Sequence, residues 1–262
     1  ILEMAAEAGP DRVALVCEGK RWTYKQLLLA AHGAASLFKG KGYEYVALLD
    51  ETSEAAPIAL FGAAIAGIPY VPLNYRLADT DLSGLLARIA PAFVIGDKNR
   101  VEQLCPDQNL ECVGRADFVT KATAVFAAVE NAAHEGEGIA VQIFTSGTTA
   151  APKAALLRHA NLMGYILGTV DFCSAKAVEA QLVCVPPYHI AGISALLSSI
   201  YAMRRIVILP AFDPDIWLDI VAAEHVSNVF LVPTMLSRII DSLNAGKSAD
   251  LMSLQAIAYG GG

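Results

Sequence analysis

Short apolar runs alternate with longer helical segments along most of this chain, and that order constrains the fold more than any other feature. Tyr45-Val46-Ala47-Leu48-Leu49 is a β-type run, 53–66 is helical, and Tyr70-Val71 makes a brief strand. A helix over 79–90 then leads to Ala92-Phe93-Val94-Ile95, bounded by Pro91 and Gly96. The pattern returns with strands at 182–185, 206–209, 229–232 and 256–259, separated by helical runs over 191–203, 214–224 and 234–244. Strands this apolar need cover on both faces, and intervening helices join them in parallel. The expectation is an α/β fold of two stacked αβα-type layers with largely parallel sheets. One layer combines 1–43 with 178–262; the other spans 44–177. The charged, less regular stretch 97–138, punctuated by Cys105-Pro106-Asp107 and Glu135-Gly136-Glu137-Gly138, reads as surface connection.

Composition excludes several classes. A hydrophobic content of 55% over 262 residues supplies an ample core and argues against disorder. Only 19 Lys and Arg against 26 Asp and Glu, scattered without a cluster, argue against a nucleic-acid surface. The apolar stretch 55–71 contains Pro57, Gly62, Gly67 and Pro69 and is shorter than the ~20 residues a spanning helix needs, so it reads as a buried helix followed by a strand. Cysteines 17, 105, 112, 173 and 184 are odd in number and include no C-x-x-C pair, which argues against a disulfide framework or a thiolate metal site. That cysteine pattern makes a reducing, cytoplasmic setting the expectation, and the start, Ile1-Leu2-Glu3-Met4, which lacks the basic region and apolar core of a secretory signal, does not indicate export.

The chemistry concentrates where the apolar run Ile139-Ala140-Val141-Gln142-Ile143-Phe144 meets Thr145-Ser146-Gly147-Thr148-Thr149-Ala150-Ala151-Pro152-Lys153. Four hydroxyl residues, a glycine and a lysine on a loop suit phosphate: backbone N–H groups form an anion nest, hydroxyls add donors, and lysine supplies a mobile charge. A P-loop would need a glycine at Pro152 and a hydroxyl at Ala154, so a P-loop NTPase is disfavoured.

Residues 145–153 resemble the signature loop of the adenylate-forming superfamily, which includes acyl-CoA synthetases, luciferases and peptide-synthetase adenylation domains. The family pattern [ST]-S-G-[ST]-T-G-x-P-K-G is matched at Thr145, Ser146, Gly147, Thr148, Thr149, Pro152 and Lys153, with alanine for glycine at Ala150 and Ala154. Alanine resists φ > 0 and stiffens a loop that is mobile in the family. His159-Ala160-Asn161-Leu162 also resembles the family, with Asn161 expected as a helix N-cap. Trp22-Thr23-Tyr24-Lys25-Gln26-Leu27 is similar to the family's first motif, and 67–74 to its second. Pro186-Pro187-Tyr188-His189-Ile190-Ala191-Gly192 resembles the fourth motif in its acyl- or aryl-CoA ligase form, which puts His189 beside the carboxylate. Taken alone, His189 reads as a structural histidine at a strand end. Val232-Pro233-Thr234 is similar to a corner beside the acyl pocket and reads equally as a plain strand-to-helix turn. Tyr259-Gly260-Gly261-Gly262 resembles the start of the fifth motif, while three glycines alone would equally make a flexible tail.

The resemblance implies an acyl-CoA synthetase-like large domain that activates a fatty or aryl acid with ATP and Mg2+ as an acyl-adenylate, then transfers the acyl group to coenzyme A. An acyl-AMP ligase loading an acyl carrier protein is the neighbouring reading, and a non-catalytic nucleotide- or acyl-binding remnant is the alternative that Ala150 and Ala154 raise. By the same resemblance, Ser146, Gly147, Thr148, Thr149 and Lys153 hold the β- and γ-phosphates, with Thr145 at the loop's entry and Thr148 beside the metal. His189 orients the carboxylate, and Thr234, Gly260, Gly261 and Gly262 line the adenine and acyl pocket. The family's acidic Mg2+ ligand, its ribose-binding aspartate and its small carboxy-terminal domain have no counterpart here, so the domain is expected to be incomplete and the chain inactive alone.

Overall fold

The computed structural model describes residues 1–105, 109–124, 130, 137–145 and 152–260. In chain order the elements are α1 (Leu2–Ala8), β1 (Val13–Cys17), β2 (Lys20–Thr23), α2 (Tyr24–Phe38), β3 (Tyr45–Leu49), α3 (Ala55–Ala66), β4 (Tyr70–Pro72) and α4 (Asp79–Ile89). They continue with β5 (Ala92–Gly96), α5 (Lys98–Leu104), β6 (Leu110–Gly114), α6 (Arg115–Thr123), β7 (Ile139–Thr145), β8 (Lys153–Arg158) and α7 (His159–Thr169). The last are β9 (Ala180–Val183), α8 (Ile190–Ala202), β10 (Arg205–Ile208), α9 (Pro214–Ala223), β11 (Asn228–Leu231), α10 (Pro233–Asn244) and β12 (Ala256–Tyr259). The chain divides into two compact units: Ile1–Lys25 with Thr52–Glu54 and Ile166–Gly262, and Gln26–Glu51 with Ala55–Tyr165.

The first unit holds a sheet in the order β12-β11-β9-β10-β1-β2. All neighbours pair in parallel except β1 and β2, which form an antiparallel hairpin at one edge. Helix α9 covers part of one face. Its start is written in the sequence: the Asp213 carboxylate accepts from the N–H groups of Asp215 and Ile216, at 2.9 and 3.1 Å, and Pro214 takes the first turn where no N–H is needed. The helix then buries Trp217, Leu218 and Val221 against Leu182, Val207, Val229 and Leu231 of the strands.

The second unit repeats the plan in the order β6-β5-β3-β4-β7-β8, parallel throughout except for the β7–β8 edge hairpin. On one face, Leu82, Leu85, Leu86 and Ile89 of α4 and Val101 and Leu104 of α5 pack against Ala47, Leu49, Val71 and Val94. Elsewhere in this unit Phe38 lies edge-on to Phe93, centroids 5.0 Å apart, and stacks with Phe118 at 6.1 Å. The stretch 55–71 is a buried helix followed by a strand, as expected, and no helix among the described residues is long and apolar enough to cross a membrane.

Two expectations are corrected. Residues 97–138 are not merely surface connection: α5, β6 and α6 fall there, and β6 extends the sheet in parallel from β5. Its sequence Leu110-Glu111-Cys112-Val113-Gly114 is half exposed, as an edge strand is, so it lacks the continuous apolar run that marks β3 and β5. The turn residues Pro106, Asp107, Glu135 and Gly136 lie outside the described residues. The cysteines are not all free either. Cys105, capping α5, is bonded to Cys112 of β6, with Cα atoms 6.5 Å apart. Residue parity counts a framework of pairs; it is blind to a single bridge that tertiary proximity makes.

Close approach of α2 and α6 requires one glycine. A Cβ on Gly33 would sit 1.8 Å from the carbonyl oxygen of Ala122, a backbone atom that cannot swing away. Gly33→Ala is expected to lower stability by about 3 kcal/mol, at the upper end of ordinary overpacking, as read from urea unfolding midpoints.

Candidate nucleotide and acyl site

In open α/β sheets, ligands bind beyond the carboxyl ends of the parallel strands. In the second unit that end of β7 leads into the hydroxyl-rich loop. β8 returns from the loop antiparallel to β7, and Thr145 and Lys153 face each other on the last rung. The Thr145 hydroxyl donates to the Lys153 carbonyl at 3.4 Å. Both ends of the loop are thus held within one strand pair. Ser146, Gly147, Thr148, Thr149 and Ala150 lie outside the described residues. Ala154 is paired with Phe144 in the strand and is not among the residues at positive φ, so alanine sits there without strain.

At the base of the hairpin, Arg158 donates to the Glu137 carbonyl and pairs with the Glu137 carboxylate at 3.5 Å. Asn161 is not the N-cap expected of it. Helix α7 starts at His159, and the Asn161 side chain reaches back from the first turn to accept from the Arg158 N–H at 3.0 Å. This is the reverse arm of a capping box, a role that a polar residue three positions into a helix can fill.

In the first unit, three predicted positions lie just beyond the carboxyl ends of adjacent parallel strands β9, β11 and β12. His189 is the N-cap of α8 by backbone geometry, exposed, with its ring 4.7 Å from that of Tyr188. The Pro186-to-His189 turn closes through the His189 N–H to the Pro186 carbonyl at 3.1 Å. Thr234 is exposed in the first turn of α10, immediately after β11. Gly260 follows β12 and donates its N–H to the Leu231 carbonyl at 3.2 Å, tying the ends of β12 and β11 together. Gly261 and Gly262 lie outside the described residues. The structure therefore gathers His189, Thr234 and Gly260 at one end of one sheet, and holds Thr145 and Lys153 in the other unit.

Two supporting residues escape sequence reasoning. Thr52, buried, donates its hydroxyl to the Val185 carbonyl at 3.2 Å, just before the proline pair that leads to His189. Arg88, in the last turn of α4, donates to the Pro152 carbonyl at 2.8 Å and stands 4.9 Å from the ring centroid of Phe144. No local signal could have found either, because each contact joins residues more than sixty positions apart along the chain: 133 for the first and 64 for the second.

The family model described as "AMP-binding enzyme" matches residues 2–262. A fatty acid–[acyl-carrier-protein] ligase of Streptomyces coeruleorubidus is 25% identical over 268 residues, covering 98% of this chain and 51% of that protein. A feruloyl-CoA synthase of an Amycolatopsis species is 29% identical over 263 residues, covering 98% of this chain and 52% of that protein. Among solved structures, ATP-bound MatB from Rhodopseudomonas palustris superposes with a TM-score of 0.83 at 24% identity, covering 99% of this chain and 55% of that one. The chain spans about half the length of the curated relatives it matches.

One buried carboxyl makes the same end of the second sheet titratable. Asp50 follows β3 and is 7% exposed; its Oδ1 lies 3.3 Å from an Arg115 guanidinium nitrogen, and its Oδ2 is buried without a hydrogen-bond partner among the described residues. Burial pushes the Asp50 carboxyl above its ordinary value of 3.8, opposed by the charge of Arg115 and the N–H of Glu51, while Asp97 and Glu51 push it further up. A carboxyl raised on folding binds its proton more tightly in the folded chain, so its contribution to stability is full below the ordinary value of 3.8 and is lost as pH rises through the folded value. Asp50→Asn is expected to abolish this component of the pH dependence. Arg115→Ala is expected to move it to higher pH and to cost about 1–2 kcal/mol near neutrality, discounted for the half-exposed arginine. Chemical unfolding of the three proteins between pH 4 and 8 checks both.

Proposed function

Because the chain belongs to the AMP-binding enzyme family, we propose that it forms part of an acid–thiol ligase that uses ATP to activate a fatty or aryl acid as its acyl-adenylate. The acyl group then passes to coenzyme A. The observation that carries this reading is the β7–β8 hairpin: Thr145 and Lys153 close a hydroxyl-rich loop at the carboxyl end of a parallel sheet, where an anionic ligand is expected.

A carboxylate is a poor electrophile, because attack must displace oxide and the carbonyl carbon is shielded by negative charge. Activation removes that obstacle. A carboxylate oxygen attacks the α-phosphorus, the bond to the β-phosphate oxygen breaks, and pyrophosphate leaves. A thiol then attacks the acyl carbon and AMP departs. The protein's share is to bring two anions together and neutralise the charge that gathers. We assign Ser146, Gly147, Thr148, Thr149 and Lys153 to the β- and γ-phosphates, His189 to orientation of the carboxylate, and Thr234 and Gly260–Gly262 to the adenine and acyl pocket.

No group of three His, Cys, Asp or Glu residues that could hold a metal ion occurs among the described residues. By the resemblance of the 145–153 loop we assign the Thr148 hydroxyl to Mg2+, an ion that takes few protein oxygens in nucleotide sites. When bound, Mg2+ would neutralise phosphate charge.

A second acceptor has its own support. The fatty acid–[acyl-carrier-protein] ligase among the relatives supports a carrier protein's thiol as the alternative acceptor. Saturation of each acceptor in a steady-state assay separates the two.

Calorimetric titration of the longest form of the protein carrying this chain is expected to give saturable Mg-ATP binding. Lys153→Ala and Thr148→Ala should each weaken it by roughly ten- to a hundredfold, the worth of one hydrogen bond to a charged group. His189→Ala should raise the KM for the acid about tenfold and leave ATP affinity unchanged. Absence of Mg-ATP binding would sink the ligase reading and leave a non-catalytic remnant standing.

A further inference from the structure

We propose that Arg88 is a positioning residue for the nucleotide phosphates, clamping the two shoulders of the 145–153 loop from behind and aiming Lys153. The inference rests on the reading of that loop as a phosphate site.

Helix α4 is anchored at both ends. At its start, Arg100 of α5 donates to the carbonyls of Tyr75 and Leu77 and to the Asp79 carboxylate, the last two at 3.0 and 3.1 Å. At its finish, the Arg88 guanidinium meets both sides of the hairpin: the Phe144 ring, 4.9 Å away on the outgoing strand, and the Pro152 carbonyl, 2.8 Å away before the returning one. A cation in the last turn is favoured by the helix dipole, so α4 carries Arg88 without penalty.

Strand alternation decides which face Arg88 acts on. Phe144 packs with the α4 and α5 core, and Ala154 is its partner on β8. The next rung, Thr145 with Lys153, therefore projects to the opposite face. Arg88 buttresses the hairpin from one side and leaves the other to Lys153. The contact to Pro152 also has direction. In a planar trans peptide the carbonyl of one residue and the N–H of the next point oppositely. A Pro152 carbonyl turned toward Arg88 thus turns the Lys153 N–H away from it. One side chain fixes the orientation of the peptide that precedes Lys153 and pins the aromatic ring next to Thr145.

The test uses Arg88→Ala, Arg88→Lys and Lys153→Ala in the longest form of the protein, with Mg-ATP affinity by calorimetry, amide hydrogen exchange over 143–145 and 153–155, and the melting temperature. Arg88→Ala is expected to weaken Mg-ATP about tenfold, the size of one charge-assisted hydrogen bond, and to speed exchange on both strands. Arg88→Lys, which keeps the charge but loses the planar fork, should fall between. Guanidinium ion at millimolar concentration should restore affinity to Arg88→Ala and not to Lys153→Ala. Unchanged affinity in Arg88→Ala, with affinity lost in Lys153→Ala, would overturn the role of Arg88 and leave the phosphate reading intact. Lost affinity with a lower melting temperature and no guanidinium rescue would make Arg88 structural only and overturn the proposal. No Mg-ATP binding by the unaltered protein would overturn both.

Discussion

Parallel strands cannot be joined by tight turns. Each must be followed by a crossover long enough to return the chain to the far end of the sheet, and here helices supply it. Two consequences follow in each unit. Strands with a parallel neighbour on each side are the ones covered on both faces, which accounts for Val46–Leu49 and Ala92–Gly96 being buried throughout. Every segment that leaves a parallel strand emerges at the carboxyl end of its sheet. The His189 turn, Thr234 and Gly260 share that end for this reason alone, since β9, β11 and β12 are neighbours running the same way.

Each sheet breaks the parallel rule once, at an edge hairpin. In the second unit the exception is the chemically loaded one. A loop between a strand and a helix is tethered firmly at one end; a loop between two paired strands is tethered at both. Thr145 and Lys153 are held opposite each other by the β7–β8 ladder. Ala154, where the family pattern has glycine, is absorbed into that ladder in a conformation alanine adopts freely.

Legibility in the sequence followed apolar runs and stripes. Strands β3, β5, β10 and β11 and helices α4, α9 and α10 were visible within a residue or two because each carries an apolar run or an apolar stripe. Helix α9 was clearest, with Asp213 and Pro214 marking its start. Edge strand β6 was not visible, because Glu111 breaks its apolar run and only Val113 and Gly114 are buried. The Cys105–Cys112 bridge was missed because nothing in a seven-residue spacing says that a helix end and a strand will meet. Asn161 stands three positions past the helix's N-cap, since a polar residue near a helix start serves as N-cap or as its reciprocal partner and spacing does not separate the two.

The sequence by itself determined the α/β class, the family, and the residue types of the loop at 145–153, because periodicity and ordered motifs are properties of neighbours along the chain. Tertiary structure alone decided which strands stand side by side, that β8 turns back on β7, that Arg88 reaches the carbonyl before Lys153 in one unit, and that Thr52 reaches the carbonyl before the His189 turn in the other. Those contacts join residues 64 and 133 positions apart. Their partners are backbone carbonyls and an aromatic face, groups any sequence offers, so only the folded path of the chain selects them.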